Sequence, residues 1–183
     1  VLEEGALIEN IIASEHELYE DSLTKAYNRR YFDERLFCVQ DGKVREMVFI
    51  AADLKDFKKI NDTYGHSTGD YVLAQAVRLM KKTVRAGDSI IRMGGDEFTL
   101  YLSGIRQRGE VEDFFLSLMT DWEERQKALH IHDQVSISAG VAFTSNADTS
   151  YEALLAQADQ ALYLAKKKKN NELIHWEFSG SHA

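Results

Sequence analysis

The sequence predicts an α+β domain: one mixed, mostly antiparallel sheet of about five strands, flanked by helices. Three observations carry this. The run Met47-Val48-Phe49-Ile50-Ala51-Ala52 is continuously apolar, the form of a central strand buried on both faces. Ser89–Met93 and Phe98–Leu102 are short strand-like segments on either side of Gly94-Gly95, a pair that permits a tight hairpin because glycine takes positive φ without steric cost. Segments with apolar residues at three- and four-residue spacing alternate with these strands in the order β-α-α-β-β-α-β-α-β, without repeats or linkers.

Taken in order, residues 1–20 are predicted helical, with Val1, Ile8, Ile11 and Leu18 on one stripe that Glu4 and Glu15 interrupt. The expectation is a signalling helix, the end of a longer helix from an upstream region; docking on its own domain is the alternative. The apolar strand then ends at Asp53, and a short helix is expected over Phe57–Thr63. Ser67-Thr68-Gly69-Asp70 has the form of a capping box, opening a helix with Leu73, Ala76, Val77, Met80 and Val84 inside and Gly87 at its end. After the hairpin, Val111, Phe114, Phe115, Leu118 and Trp122 mark a helix, and Val135–Val141 alternates like a strand. Thr149 to Glu152 is a second capping box, opening a helix through Ala165, and Leu173–Trp176 suits a last strand. The globular domain is expected over 21–178, with 179–183 an appended tail.

Composition narrows the function. At 183 residues the chain suits one domain with a full core plus a short extension. The net charge of −8 argues against coating nucleic acid. It leaves room for a nucleotide whose phosphates meet a metal and local lysines. One cysteine, Cys38, allows no internal disulfide, and no apolar run approaches the roughly 18–20 residues that span a bilayer.

The chemistry concentrates in two places. Asp53 ends a buried strand, and Asp96 lies in the hairpin; if the hairpin pairs beside that strand, the two carboxylates meet at one end of the sheet. Carboxylates so close repel one another unless a cation lies between them, and a hard divalent ion with water and phosphate oxygens fits best, with the Leu54 carbonyl available to it. Asp53 as a helix cap is the plainer alternative. Between the two acids, Asn61 and Asp70 offer the donor and acceptor set that reads a guanine edge, although Asp70 is equally the last residue of its capping box. Lys58 and Lys166 are positioned in sequence to hold phosphates as point charges.

Four ordered motifs make the chain resemble a GGDEF domain, the catalytic domain of diguanylate cyclases, over about residues 17–176. Asp21-Ser22-Leu23-Thr24-Lys25-Ala26-Tyr27-Asn28-Arg29-Arg30 is similar to the family's DxLTGLxNRR. Residues 53–70 resemble DxDxFKxINDxxGHxxGD. Gly94-Gly95-Asp96-Glu97-Phe98 follows, then Ala158-Asp159 with Ala165-Lys166. The resemblance implies a cyclase or polymerase-palm-like fold that condenses two GTP into cyclic di-GMP with release of two pyrophosphates. It implies a homodimer with one GTP per subunit, in the cytoplasm, free or tethered to a membrane or sensor region upstream. Magnesium, or manganese, would be held by Asp53, the Leu54 carbonyl and Asp96. Asn61 and Asp70 would recognise guanine with His66 lining the pocket, and Lys58 and Lys166 would meet the triphosphate. Gly94 and Gly95 would lie against the nucleotide, Asp96 would help deprotonate the attacking hydroxyl, and Glu97, on the other side of the strand, would support it. Arg85-Ala86-Gly87-Asp88 has the RxxD form of the family's inhibitory product site; an unliganded turn is the alternative.

Three departures stand out: Lys55 where the family usually has Asp, Lys25 for a usual Gly, and Lys169-Asn170-Asn171 for GRN. They keep open a second reading, a catalytically weakened module that binds GTP or cyclic di-GMP. A phosphodiesterase or generic nucleoside triphosphatase ranks last, since neither a separate metal cluster nor a Walker loop is present in the sequence.

Overall fold

The computed structural model describes residues 2–36, 47–104, 107–131, 133–144, 150–168 and 172–180. Val1, Cys38, Thr149, Lys169, Asn170, Asn171 and 181–183 lie outside them. Helix α1 (Leu2–Tyr19) precedes a two-residue strand β1 (Tyr27–Asn28), helix α2 (Arg29–Tyr31) and a π-helical turn (Phe32–Leu36). Strand β2 (Met47–Leu54), helices α3 (Phe57–Tyr64) and α4 (His66–Thr83), and strands β3 (Ser89–Gly94) and β4 (Glu97–Ser103) follow. The order closes with α5 (Arg108–Ala128), β5 (Ile137–Phe143), α6 (Tyr151–Lys166) and β6 (Ile174–Phe178).

The strands form one sheet in the order β1-β3-β4-β2-β5-β6. Pairings β3–β4, β4–β2 and β2–β5 are antiparallel; the outer pairs β1–β3 and β5–β6 are parallel. β2 is central, as its apolar run predicts. Alternate residues of β2 face opposite layers. Val48, Ile50, Ala52 and Leu54 join Leu73, Val77, Phe115, Leu118 and Trp122 under α4 and α5. Met47, Phe49 and Ala51 join Phe32, Tyr151, Leu154 and Ala158 under the π-helical turn and α6. Asp53 is the one residue of β2 that is not fully buried, and it continues the α6 side.

Several local expectations change. The sixth strand, β1, is too short to leave a period of its own; it forms because Tyr27 and Asn28 pair with Ile91 and Arg92 while Tyr27 stacks on Tyr31 at 3.7 Å. The Ser67 capping box is not used: α4 starts at His66 behind Gly65, which has φ +88° and also ends α3 through its N–H to the Asn61 carbonyl. One glycine thereby joins two helices without a side-chain cap. Helix α6 is capped by Ser150, whose Oγ accepts the Ala153 N–H at 3.2 Å. α4 ends at Thr83, short of Gly87, which turns with φ +97°.

Helix α1 does not bury its apolar stripe on its own domain. Leu7, Ile8, Ile11, Ile12 and Leu18 are all exposed. Polar contacts attach it instead: Arg35 to Glu15 at 2.6 Å, the Tyr19 hydroxyl to Glu34 at 3.1 Å, and Asn28 Nδ2 to the Leu18 carbonyl at 2.9 Å. Among the described residues no helix is long and apolar enough to cross a membrane.

Candidate functional site

The hairpin does lie beside β2, and its turn brings the acids together. Asp53 pairs directly across from Glu97, and the Leu54 N–H donates to the Asp96 carbonyl at 3.2 Å. Burial raises the Asp53 carboxyl above its ordinary value, and the charges of Asp96 and Glu97 push it the same way. Lys166, reaching over from the end of α6, opposes this with Nζ 3.0 Å from Asp53 Oδ2. Asp159, two turns earlier on α6, is also raised, first by partial burial and then by Glu97, with Lys166 again opposing. Asp53 thus feels Asp96 and Glu97, Asp159 feels Glu97, and the Lys166 ammonium offsets both. Asp53 is not a helix cap; the residue before α3 is Asp56, in the left-handed region and without a side-chain cap bond.

Glu97, expected away from Asp96, shares Asp53's face. β4 begins at Glu97 and pairs with β2 so that Glu97 lies opposite Asp53 while Phe98, opposite Ala52, turns to the other layer. Gly94 and Gly95, with φ +156° and +53°, make that turn, and a Cβ on either would meet nothing within 4 Å. The glycines leave open space there. Arg92 braces the turn by donating from Nε to the Gly95 carbonyl at 2.9 Å, and its other arm reaches Asp21 at 3.1 Å. Asp21 also accepts from the Thr24 N–H and hydroxyl; burial alone would raise its carboxyl, but these bonds and Arg92 hold it below the ordinary value.

Lys55 and Asp56 lead straight from β2 into α3, so the second group of residues adjoins the acids in sequence. Asn61 lies on α3 with its Oδ1 buried and without a protein partner. That atom presses on Gly69 of α4, where a Cβ would lie only 1.8 Å away. His66 and the exposed Asp70 are one turn apart on one face of α4. An orphaned buried amide oxygen against Gly69, with an exposed carboxylate on the following residue, is a set that a ligand with neighbouring N–H donors can satisfy. Lys58 is exposed on α3 and makes no ion pair among the described residues, whereas Lys59 is drawn to Asp133 at 2.5 Å.

Arg85 and Asp88 lie elsewhere, between α4 and β3. The Asp88 carboxylate is already used: Oδ2 accepts the Arg85 N–H at 2.8 Å and Oδ1 the Ser103 N–H at 2.9 Å. Asp88 therefore shapes the turn that leaves the Arg85 side chain exposed.

Sequence reasoning assigned no role to Gly69, Gly140, Asp159 or Arg92. Gly140 lets α6 sit on β5: a Cβ there would lie 1.9 Å from the Ala158 carbonyl oxygen and 2.2 Å from the Leu162 nitrogen. This contact sets the height at which Lys166 meets Asp53. A small residue in a strand that packs beneath a helix is the signal available for it.

The donor set at the acid end consists of hard oxygens. No three His, Cys, Asp or Glu side chains among the described residues form a self-contained metal cage. Two carboxylates and a carbonyl suit an ion that takes its remaining ligands from water and phosphate, as magnesium does.

A family model described as "Diguanylate cyclase, GGDEF domain" matches residues 18–172. The chain is 34% identical over 164 residues to the uncharacterized protein YtrP of Bacillus subtilis (strain 168), covering 88% of this chain and 27% of that protein. It is 32% identical over 170 residues to diguanylate cyclase DosC of Escherichia coli (strain K12), covering 91% of this chain and 37% of DosC. The chain thus spans between about a quarter and two fifths of these relatives' length. Among solved structures, the GGDEF domain of TpbB (YfiN) from Pseudomonas aeruginosa superposes with a TM-score of 0.72 at 26% identity, covering 88% of this chain and 95% of that one.

Proposed function

Since the chain belongs to the GGDEF family of diguanylate cyclases, we propose that it condenses two GTP into cyclic di-GMP, one GTP per subunit of a homodimer, with release of two pyrophosphates. The observation that carries this reading is the meeting of Asp53 with the Asp96–Glu97 turn, a set of carboxylates in mutual repulsion that Lys166 offsets only in part. Such an arrangement invites a further cation.

Asp53, Asp96 and the Leu54 carbonyl would hold magnesium or manganese, which when bound neutralises charge on the phosphoryl centre and the leaving group. Lys58 and Lys166 draw in the triphosphate as point charges. Asn61, through its orphaned oxygen, and Asp70 accept the N–H groups of the guanine edge, and His66 lines the same face. Gly94 and Gly95 leave room for the nucleotide to approach the backbone. The 3′-oxygen of one GTP bonds to the α-phosphorus of the other as the bridging bond to pyrophosphate breaks. Asp96 takes up the hydroxyl proton where it is not engaged as a ligand, and Glu97 supports the turn electrostatically. Two such transfers close the ring, so two domains must face each other, and the energy comes largely from positioning and charge. The exposed stripe of α1 is the surface that brings the copies together.

Arg85 is the gripping side chain of a product site at which cyclic di-GMP inhibits, with Asp88 setting its turn. The reaction belongs to the cytoplasm, where GTP is supplied. Incubation of the chain with GTP and magnesium, read by chromatography, tests the reading: cyclic di-GMP forms with the wild type and is absent with Asp96→Ala. A folded wild-type dimer that binds GTP and leaves it unchanged refutes turnover and leaves a binding module.

A further inference from the structure

The ion pair of Lys166 with Asp53 occupies a place that the proposed chemistry needs for two other partners. Lys166 Nζ is 3.0 Å from Asp53 Oδ2, and the Asp53 side chain is only 14% exposed. The same ammonium eases Asp159, which otherwise feels Glu97. It is thus the resident counter-ion of the acid cluster. α6 seats closely on Gly140, so the helix backbone holds the lysine at this height and only the flexible stem moves.

An ammonium 3.0 Å from Asp53 Oδ2 competes with a divalent ion for that carboxylate: it takes up part of the negative charge and repels a second cation seeking to approach within about 2.1 Å. Withdrawal into water alone leaves several carboxylates uncompensated. Withdrawal onto a triphosphate gives the ammonium an equivalent anion. Resting on the reading of Asp53 and Asp96 as metal ligands, we propose that Lys166 is a latch: it holds Asp53 against divalent cations until a triphosphate takes the ammonium. Metal and nucleotide entry are thereby coupled through one side chain. By linkage the coupling is reciprocal, so each ligand raises the affinity for the other by the same factor. The consequence is a site that resists idle loading with metal.

The latch is read with Mn²⁺ alone, by electron paramagnetic resonance of the free ion, on the nucleotide-free full chain. Lys166→Met binds Mn²⁺ roughly 5- to 100-fold more tightly than the wild type, and adding Asp53→Asn removes the gain. Lys167→Met is the control for a general field effect. Its ammonium sits over the Tyr163 ring at 4.1 Å, away from Asp53, so its affinity stays at the wild-type level. Lys166 is exposed at a helix end, and circular dichroism verifies that each variant folds. Equal affinity in Lys166→Met and wild type, no Mn²⁺ binding by Lys166→Met, or an equal gain in Lys167→Met overturns the latch. The metal assignment fails separately: it is refuted if Asp53→Asn and Asp96→Ala bind Mn²⁺ together with a non-hydrolysable GTP analogue as well as the wild type does.

Discussion

Gly69→Ala separates the stability of the α3–α4 pair from the placement of Asn61. An alanine Cβ at this position would lie 1.8 Å from Asn61 Oδ1, 2.9 Å from its Cγ and 3.1 Å from Phe57 Cζ. These atoms belong to side chains, so the backbone need not move. Asn61 must retreat by roughly 1.5 Å to reach ordinary contact distance, which means leaving its rotamer, while Phe57 yields by a few tenths of an ångström. Against this, replacing a helical glycine by alanine contributes about 0.5–1 kcal/mol. The expected change in stability is near zero, and the melting temperature should stay within a few degrees. Function should not stay. If Asn61 reads guanine, its displacement leaves donors unpaired at about 1–3 kcal/mol, a fall in kcat/KM of roughly 10- to 100-fold. The loss should appear mainly in KM for GTP and should narrow the preference over ATP. Steady-state kinetics and thermal melts of Gly69→Ala, Asn61→Ala and the double variant test it. Because both substitutions remove one contact, the double variant should be no worse than the poorer single. Additive losses, or wild-type kinetics in Gly69→Ala beside a crippled Asn61→Ala, would refute the reasoning.

Gly140→Ala should behave in the opposite way, since its Cβ meets backbone atoms of α6. We expect a loss of about 1–3 kcal/mol, seen in thermal melts as a fall of about 2–4 °C per kcal/mol, together with lower turnover as Lys166 shifts. Asp21→Asn should destabilise by about 1–3 kcal/mol at neutral pH, because it weakens bonds to Thr24 and Arg92. The folded carboxyl lies below its ordinary 3.8, so its contribution is present above the unfolded value and vanishes as pH falls through the folded one. Denaturant unfolding of the two proteins should therefore converge in acid, and a constant difference would contradict the assignment. Leu7→Lys with Ile11→Lys alters residues that are 60% and 54% exposed. Melting should be unchanged while specific activity falls at low protein concentration, and forced dimerisation should restore it.

Much of the fold was legible because its signals are periodic. The unbroken run of β2, the glycine pair of the hairpin and the apolar spacing of α5 each demand one kind of element. β1 was not legible, because two residues carry no period and the strand exists through its partners Ile91 and Arg92. The start of α4 was misplaced by two residues for a related reason: Gly65 serves two helices at once, and a side-chain cap rule has no place for such a joint. In the site, the approach of Asp53 to Asp96 followed from sheet adjacency. The side on which Glu97 falls did not, because the register of β4 on β2 sets Glu97 itself directly opposite Asp53. The exposure of α1 could not be settled either, since an interrupted apolar stripe reads the same whether it docks at home or on a second copy.

The residues that the sequence advertises are charged, yet their effect depends on residues with no charge. Asp53 is less stable ionised in this fold than in the unfolded chain, because burial and its acidic neighbours raise its carboxyl. The folded form thus binds that proton more tightly, and the ionised group subtracts from stability at every pH above its folded value, with no cost below the unfolded one. A chain selected for stability alone would separate these acids. Here the central, almost wholly buried β2 fixes the first acid, and the hairpin fixes the second. Gly140 allows α6 close enough for Lys166 to offset part of the repulsion, and Gly69 allows α4 close enough to hold Asn61. The acids supply the demand for a cation, and the glycines set the distances at which that demand is met.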